Sequence, residues 1–134
     1  MAGYQFKIGK IPIMNEITDE EKSIETVLEH YINGAKTGRG DDMRDAFHKD
    51  ATIFGYVGED LFAGPIELLF SWNDENGPAE ELLYEIDHVD IEGTVATARL
   101  ETDNWHGRRF TDLFTLLRLD GEWKIISKVF HIHG

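Results

Sequence analysis

The side chains best suited to acid–base chemistry lie on neighbouring segments near the C-terminal end of the chain. Asp112 is in the segment 108–119, and His131 is in the segment 122–132. A carboxylate beside an imidazole can fix the tautomer of the ring and raise its basicity, which makes a general base. Arg99, in the segment 94–104, would stabilise developing negative charge. The alternative is a structural network in which Asp112 binds a backbone amide or Arg99.

Aromatic and histidine side chains elsewhere supply candidates for contact with a ligand. Tyrosine hydroxyls can hydrogen-bond an oxyanion, and tryptophan rings can stack on a flat ligand. The alternative for each aromatic residue is a place in the hydrophobic core, and for a histidine at the end of a helix a favourable contact with the helix dipole. The candidates for ligand binding are Tyr31, His48, Phe54, Tyr56, Trp72, Trp105 and Phe114.

The sequence predicts neither a metal nor a cofactor. His131 and His133 would share one side of a strand and, with Asp112, could form a histidine–carboxylate site. His133 is the penultimate residue, however, and chain ends fray, so we expect no metal there. The chain has no cysteine, which excludes thiolate metal sites, iron–sulfur clusters, disulfides and thiol nucleophiles. Glycine-rich phosphate loops, Gly-x-Ser-x-Gly and His-Glu-x-x-His are also missing from it.

Three helices are predicted in the first part of the chain. Thr18 and Glu21 have the spacing of a capping box, and apolar residues then recur every three or four positions as far as residue 35. A second, short helix begins at residue 41 or 42, and a strand is predicted at 51–57. The third helix opens at 64–65 and ends at 76–78, where Asn-Gly-Pro interrupts it.

Four strands follow, at 81–91, 94–104, 108–119 and 122–132, with turns at Glu92-Gly93, His106-Gly107 and Asp120-Gly121. Helices that precede an antiparallel meander indicate an α+β fold. If both later turns contain two residues, Asp112 lies opposite Val129 and diagonal to His131, with Arg99 nearby on the same concave face. The other face would then carry an apolar set that predicts a homodimer through the sheet. That set is Leu100, Leu113, Leu117, Ile126 and Phe130.

Composition limits the class of protein. The chain has 134 residues, which suits one domain, here 18–134 preceded by an arm at 1–17. It has no apolar run of membrane-spanning length, so we expect no membrane partner. Its net charge of −13 repels phosphate backbones, so we expect no nucleic-acid partner. The lack of a secretion signal and of cysteine predicts a cytoplasmic protein.

Three stretches resemble the nuclear transport factor 2-like superfamily, which includes SnoaL-like polyketide cyclases and ketosteroid isomerases. They are DATIFGY at 50–56, LFAGPI at 61–66 and DGEWKII at 120–126. FHKDA at 47–51 and FTD at 110–112 resemble the subgroup named "putative lumazine-binding". The resemblance covers about 18–133 and implies a cone-shaped, cystatin-like roll, in which three N-terminal helices pack on a curved antiparallel sheet around a pocket. It implies that dimers are common and places His48 near the pocket mouth.

One departure argues against steroid isomerisation. Ketosteroid isomerases carry a catalytic aspartate in the first strand, where this chain reads Gly55-Tyr56-Val57-Gly58. We therefore expect a protein that binds a small, partly apolar metabolite. An alternative is a cofactor-independent isomerase, cyclase or dehydratase with Asp112 and His131 as its acid–base pair. A third possibility is a dimeric protein-interaction module, for which a filled cone is expected.

Overall fold

The computed structural model describes residues 18–134, and the predicted arm at 1–17 lies outside the described residues. Helix α1 spans Asp19–Thr37, helix α2 spans Asp41–Arg44 and helix α3 spans Glu67–Asn76. The capping box at the start of α1 is confirmed: Thr18 Oγ1 accepts from the Glu21 amide at 3.1 Å, and Glu21 accepts from the Thr18 amide at 3.0 Å. The helix ends at Gly38, whose φ of 77° suits a residue without a Cβ.

Six strands form one sheet. Strand β1 spans Phe47–Val57, β2 Asp60–Pro65, β3 Leu83–Glu92, β4 Val95–Trp105, β5 Arg108–Leu119 and β6 Glu122–His133. The order across the sheet is β2-β1-β6-β5-β4-β3. All neighbours are antiparallel except β1 and β6, which run parallel. The α+β class is confirmed, but this parallel pair makes the sheet mixed.

Strand β2 is a difference from the sequence prediction, which assigned Gly64 and Pro65 to the start of the third helix. In the structure these residues end β2, and α3 begins at Glu67. Pro65 closes an edge strand, where the missing amide hydrogen costs no ladder bond. The inner face of α3 is buried and carries Leu69, Phe70 and Asn73.

The core lies between the helices and one face of the sheet. From α1 it takes Leu28 and Tyr31, neither of which is exposed to solvent. From the sheet it takes large side chains of alternating positions, because successive residues of a strand point to opposite faces. These include Ile53, Leu100, Phe110, Phe114, Trp123 and Ile125.

Two irregularities make the predicted registers wrong. Between β5 and β6, Leu116 pairs with Ile125 but Thr115 pairs with Ser127, so β6 has one extra residue at Ile126. A bulge of this kind reverses the side on which every later residue points. Asp112 therefore pairs with Phe130, and His131 pairs with Thr111.

The hairpin between β4 and β5 contains a second irregularity. Thr102 pairs with Phe110 and Trp105 with Arg108, which leaves one extra residue on β4. Asn104, beside it, has a φ of 58°. Leu100 is consequently buried, and Arg99 points away from the core. Leu100 and Phe130, which were expected on the outer face, both belong to the inner one.

Candidate functional site

Two ionisable side chains of opposite charge are buried together on the inner face of the sheet. Asp112, on β5, has no exposed surface, and Lys128, on β6, is 2% exposed. The Lys128 Nζ lies 3.7 Å from Asp112 Oδ1. That distance allows an ion pair but is longer than a direct hydrogen bond. Charged residues are almost never fully buried unless they are paired, so this pair is the first candidate for function.

Tyr31 completes the group from the opposite layer. Its hydroxyl donates a hydrogen bond of 3.1 Å to Asp112 Oδ2, from a helix residue 81 positions earlier in the chain. Asp112 Oδ1 has no hydrogen-bond partner among residues 18–134. One carboxylate oxygen is therefore held by the tyrosine, and the other faces the lysine.

The lysine nitrogen is surrounded by aromatic rings. Nζ lies 5.2 Å from the centroids of both Tyr31 and Phe130, 5.4 Å from Trp105 and 6.0 Å from Phe110. Aromatic faces attract a cation, but they replace only part of the hydration that burial removes.

Burial sets the direction of every pKa in this group. It raises the pKa of Asp112, and Lys128 together with the Tyr31 hydroxyl offsets this only in part. Burial lowers the pKa of Lys128, and attraction to Asp112 opposes that shift. The pKa of Tyr31 is raised well above its ordinary value by burial first and by Asp112 second. Burial thus favours the neutral form of each of these groups.

Lys128 also lines a partly open cavity of about 50 Å³, which is room for a few water molecules or a very small ligand. Arg108 is the other cationic lining residue, and no acidic residue lines the cavity. Asp112 and Tyr31 do not line it, so they support the lysine from behind. The remaining lining residues are Ile53, Val57, Phe62, Leu69, Trp72, Trp105, Phe110 and Phe130.

Trp105 contributes a possible polar contact to this wall. Its ring is 1% exposed, and its Nε1 has no acceptor among the described residues. A buried indole N–H normally has a partner, so this N–H is an unsatisfied donor within the packed wall.

The structure does not bring His131 or Arg99 to this site. His131 is exposed, and its ring packs against His133 at a centroid distance of 4.8 Å. Arg99 Nε binds Glu101 at 2.9 Å and Asp87 at 3.2 Å. The expected Asp112–His131–Arg99 arrangement is wrong in its geometry, because the irregularity in each hairpin turns His131 and Arg99 to the outer face.

The candidates for ligand contact fall into three groups. Trp72 and Trp105 line the cavity, with ring centroids 6.1 Å apart. Tyr31 and Phe114 are fully buried behind it and pack on each other at 5.6 Å.

The third group lies away from the cavity. Phe54 and Tyr56 are 45% and 62% exposed on β1. His48 lines a different depression beside Phe47 and Lys124, and its Nδ1 accepts from the Asp50 amide at 3.0 Å. These three residues do not meet Lys128.

Lys128 is the residue that the sequence analysis missed. The sequence signal for Lys128 is its place two positions before Phe130 in a strand, which puts the two side chains on the same face. A regular register assigns that face to the outside of the sheet. The adjacent apolar pair Ile125-Ile126 breaks the alternation and indicates where the bulge lies. Within 18–134, no cluster of three histidine, aspartate or glutamate side chains has the geometry of a metal site. In the same range, no helix is both long and apolar enough to span a membrane.

Comparison with solved structures identifies close relatives of this fold. A nuclear transport factor 2-like protein of unknown function from Methylobacillus flagellatus KT is 51% identical, with a TM-score of 0.86, over 90% of this chain and 97% of that one. A nuclear transport factor 2-like protein of unknown function from Shewanella baltica OS155 is 41% identical, with a TM-score of 0.82, over 89% and 99%.

Two sequence comparisons add to this. The aldolase FrzH of Cladobotryum sp. is 28% identical over 102 residues, which are 75% of this chain and 82% of the aldolase. Residues 19–131 match the family model described as "Putative lumazine-binding". The match covers most of the chain, so the chain belongs to this family of the nuclear transport factor 2-like superfamily.

Proposed function

We propose that this protein binds a small aldehyde or ketone in the cavity and acts on it by acid–base chemistry without a cofactor. The observation that carries the proposal is the buried Lys128–Asp112 pair, which adjoins an otherwise mainly apolar cavity. An ionisable pair with shifted pKa values at such a wall is typical of proton-transfer sites.

The lining favours a ligand with an apolar body and an electron-rich oxygen. Lys128 and Arg108 are its charged residues, and both are cations in a chain of net charge −13. A carbonyl oxygen near Lys128 Nζ would gain a hydrogen bond as negative charge develops during enolisation. Arg108, which is exposed, would meet a second polar group of the ligand at the mouth.

The roles within the site differ by position. Lys128 is the catalytic residue, because it is the member of the group that can touch a ligand in the cavity. Asp112 is a positioning residue that also exchanges a proton with Lys128. Tyr31 holds one oxygen of Asp112 and leaves the other towards the lysine. This assignment replaces the pair of Asp112 and His131 expected from the sequence.

The relationship to a protein named an aldolase supports carbonyl chemistry. Aldol reactions begin with removal of a proton from the carbon next to a carbonyl, and that step needs a base beside a group that stabilises the enolate. The small cavity limits the substrate to a few heavy atoms, unless the partly buried Phe62 and Trp72 move.

Deuterium exchange tests the proposal without knowledge of the natural substrate. Acetone, propanal or butanal is incubated with the protein in heavy water, and loss of the α-proton signal is followed by proton NMR. We expect the wild-type protein to accelerate exchange of at least one of them, and K128M to lose that acceleration. K49M, at a lysine whose side chain is 84% exposed, is the control and should keep it. Equal rates for wild type and K128M with all three compounds would contradict the proposal.

A further inference from the structure

The nitrogen of Lys128 is placed to do more than hydrogen-bond a ligand. Lys128 Nζ lies 3.7 Å from Asp112 Oδ1, which is longer than a hydrogen bond. Asp112 therefore does not engage the lone pair of the neutral lysine amine in a hydrogen bond. Three of the four rings around it, those of Trp105, Phe110 and Phe130, also line the cavity. The amine therefore borders the space in which a ligand would lie.

We propose that Lys128 is a nucleophile that forms a Schiff base with a small aldehyde or ketone in this cavity. The inference rests on the proposed function and extends it by naming a covalent intermediate. It requires a neutral primary amine, an adjacent group that carries protons, and a site from which most water is excluded. Lys128, Asp112 and the aromatic lining supply these three requirements.

The step balances without a further reactant. Asp112 accepts a proton from the Lys128 ammonium group, and the neutral nitrogen then attacks the carbonyl carbon. An N–H proton passes through a water molecule in the cavity to the carbonyl oxygen to give a carbinolamine. A second proton transfer releases that oxygen as water, and the nitrogen lone pair forms the C=N bond. No oxidation or reduction occurs, and Asp112 ends in its starting protonation state.

The surroundings support a reactive amine. Burial lowers the pKa of Lys128, so a larger fraction is neutral near pH 7 than for a solvated lysine. The carboxyl that would carry the proton has its pKa raised by the same burial, so it can both accept and return the proton.

Reductive trapping tests the inference on the unmodified protein. The wild type is incubated with acetone and sodium cyanoborohydride near neutral pH, digested and mapped by mass spectrometry. Each reduced adduct adds the mass of acetone less one oxygen atom. Lys49 and Lys124 serve as internal references, one exposed and one bonded to the Asp45 carbonyl at 2.7 Å.

We expect Lys128 to be modified at least severalfold more than the reference lysines, because burial lowers its pKa and raises the fraction of free amine. Modification of Lys128 that does not exceed that of Lys49 overturns the inference. Because the wild-type protein is used, a failure of a variant to fold cannot mimic that result. K128R, which keeps a cation but cannot form an imine, should lose the trapped adduct while it retains its circular dichroism spectrum.

The trapping and the exchange experiments separate the two proposals. Exchange of acetone protons without trapping at Lys128 would overturn the Schiff base and leave acid–base catalysis by a non-covalent lysine. Trapping without exchange would establish the Schiff base and contradict the proposed turnover. Failure of both would overturn both.

Discussion

At the scale of single residues, the site depends on two buried ionisable side chains that compensate each other electrostatically. Asp112 and Lys128 lie 3.7 Å apart, and neither has more than 2% of its surface exposed. Removal of one partner from such a pair leaves an uncompensated charge in a medium that solvates it poorly, whereas removal of both leaves none. The stability of the protein and the chemistry of its cavity therefore depend on the same contact.

This dependence predicts strong coupling between the two positions. We expect K128M to lower the free energy of unfolding by about 3–5 kcal/mol, because it strands Asp112 in the core. D112N should also destabilise the protein, and the double variant should lose at least about 1 kcal/mol less than the sum of the single losses. Urea denaturation of the four proteins gives the coupling, with K49M as the surface control. If the losses of unfolding free energy in the single variants add up to the loss in the double variant, the two side chains do not stabilise each other.

The residues of the site were only partly predictable from the sequence. Asp112 was identified from its expected position diagonal to His131, although its partner in the structure is Lys128. Tyr31 was identified from the helical stripe, but its contact with Asp112 joins residues 81 positions apart and leaves no local signal. Lys128 was missed because its orientation depends on one extra residue at Ile126, which no turn residue marks.

At the scale of elements, five of the six strands and the turns of the final meander followed from local patterns, whereas β2 and the faces of the strands did not. The Asp120-Gly121 turn is as predicted, and the pairs nearest to it, such as Leu117 with Lys124, keep the expected register. Beyond the bulge every residue of β6 changes side. Periodicity identifies a strand. The face to which each residue points, however, depends on every bulge between that residue and the turn.

Close packing between β1 and β6 shapes the cavity wall. A Cβ added to Gly55 would lie 2.5 Å from the ring of Phe130, which no real contact tolerates. The glycine thus gives Phe130 the room to lie flat against β1, beside Lys128 Nζ.

We expect G55A to push Phe130 towards the cavity and to lower the free energy of unfolding by about 1–3 kcal/mol, the usual cost of overpacking. The yield of acetone trapped at Lys128 should also be lower in G55A than in the wild type. The matched rescue is F130L in the G55A background, which removes the clashing ring and should recover part of the stability. A G55A protein as stable as the wild type would show that Phe130 is free to move away from the core.

At the scale of the whole molecule, the outer face of the sheet carries a continuous apolar row. Phe54 on β1, Val129 on β6 and Leu113 on β5 are direct cross-strand neighbours. They are 45%, 49% and 49% exposed. Neighbouring apolar side chains of this size on one face of a sheet are suited to burial against a second copy of the chain.

We therefore propose a homodimer through this face, as the sequence analysis expected, but with Phe54 and Val129 in place of Leu100 and Phe130. Light scattering coupled to size-exclusion chromatography should give a dimer for the wild type. L113E should give a monomer, because a two-fold interface would bring two new carboxylates together in an apolar surface. L83E, at an exposed leucine of the edge strand β3, is the control and should stay dimeric. A monomeric wild type at all concentrations would rule out this interface.

The parallel pairing of β1 with β6 also bears on how quickly the chain can fold. One edge of β1 pairs with β2 through a short local hairpin. The other edge pairs with β6, a strand at the far end of the chain. Contacts between distant segments must overcome a loop-closure entropy before they return any energy, so chains rich in them fold over milliseconds to seconds. Asp112 and Lys128 can meet as soon as the β5–β6 hairpin forms, but the β1 residues of the cavity wall join them only when β6 docks on β1. The cavity should thus be the final part of the molecule to form, and until then β1 presents an unpaired, largely apolar edge to any other unfolded chain nearby.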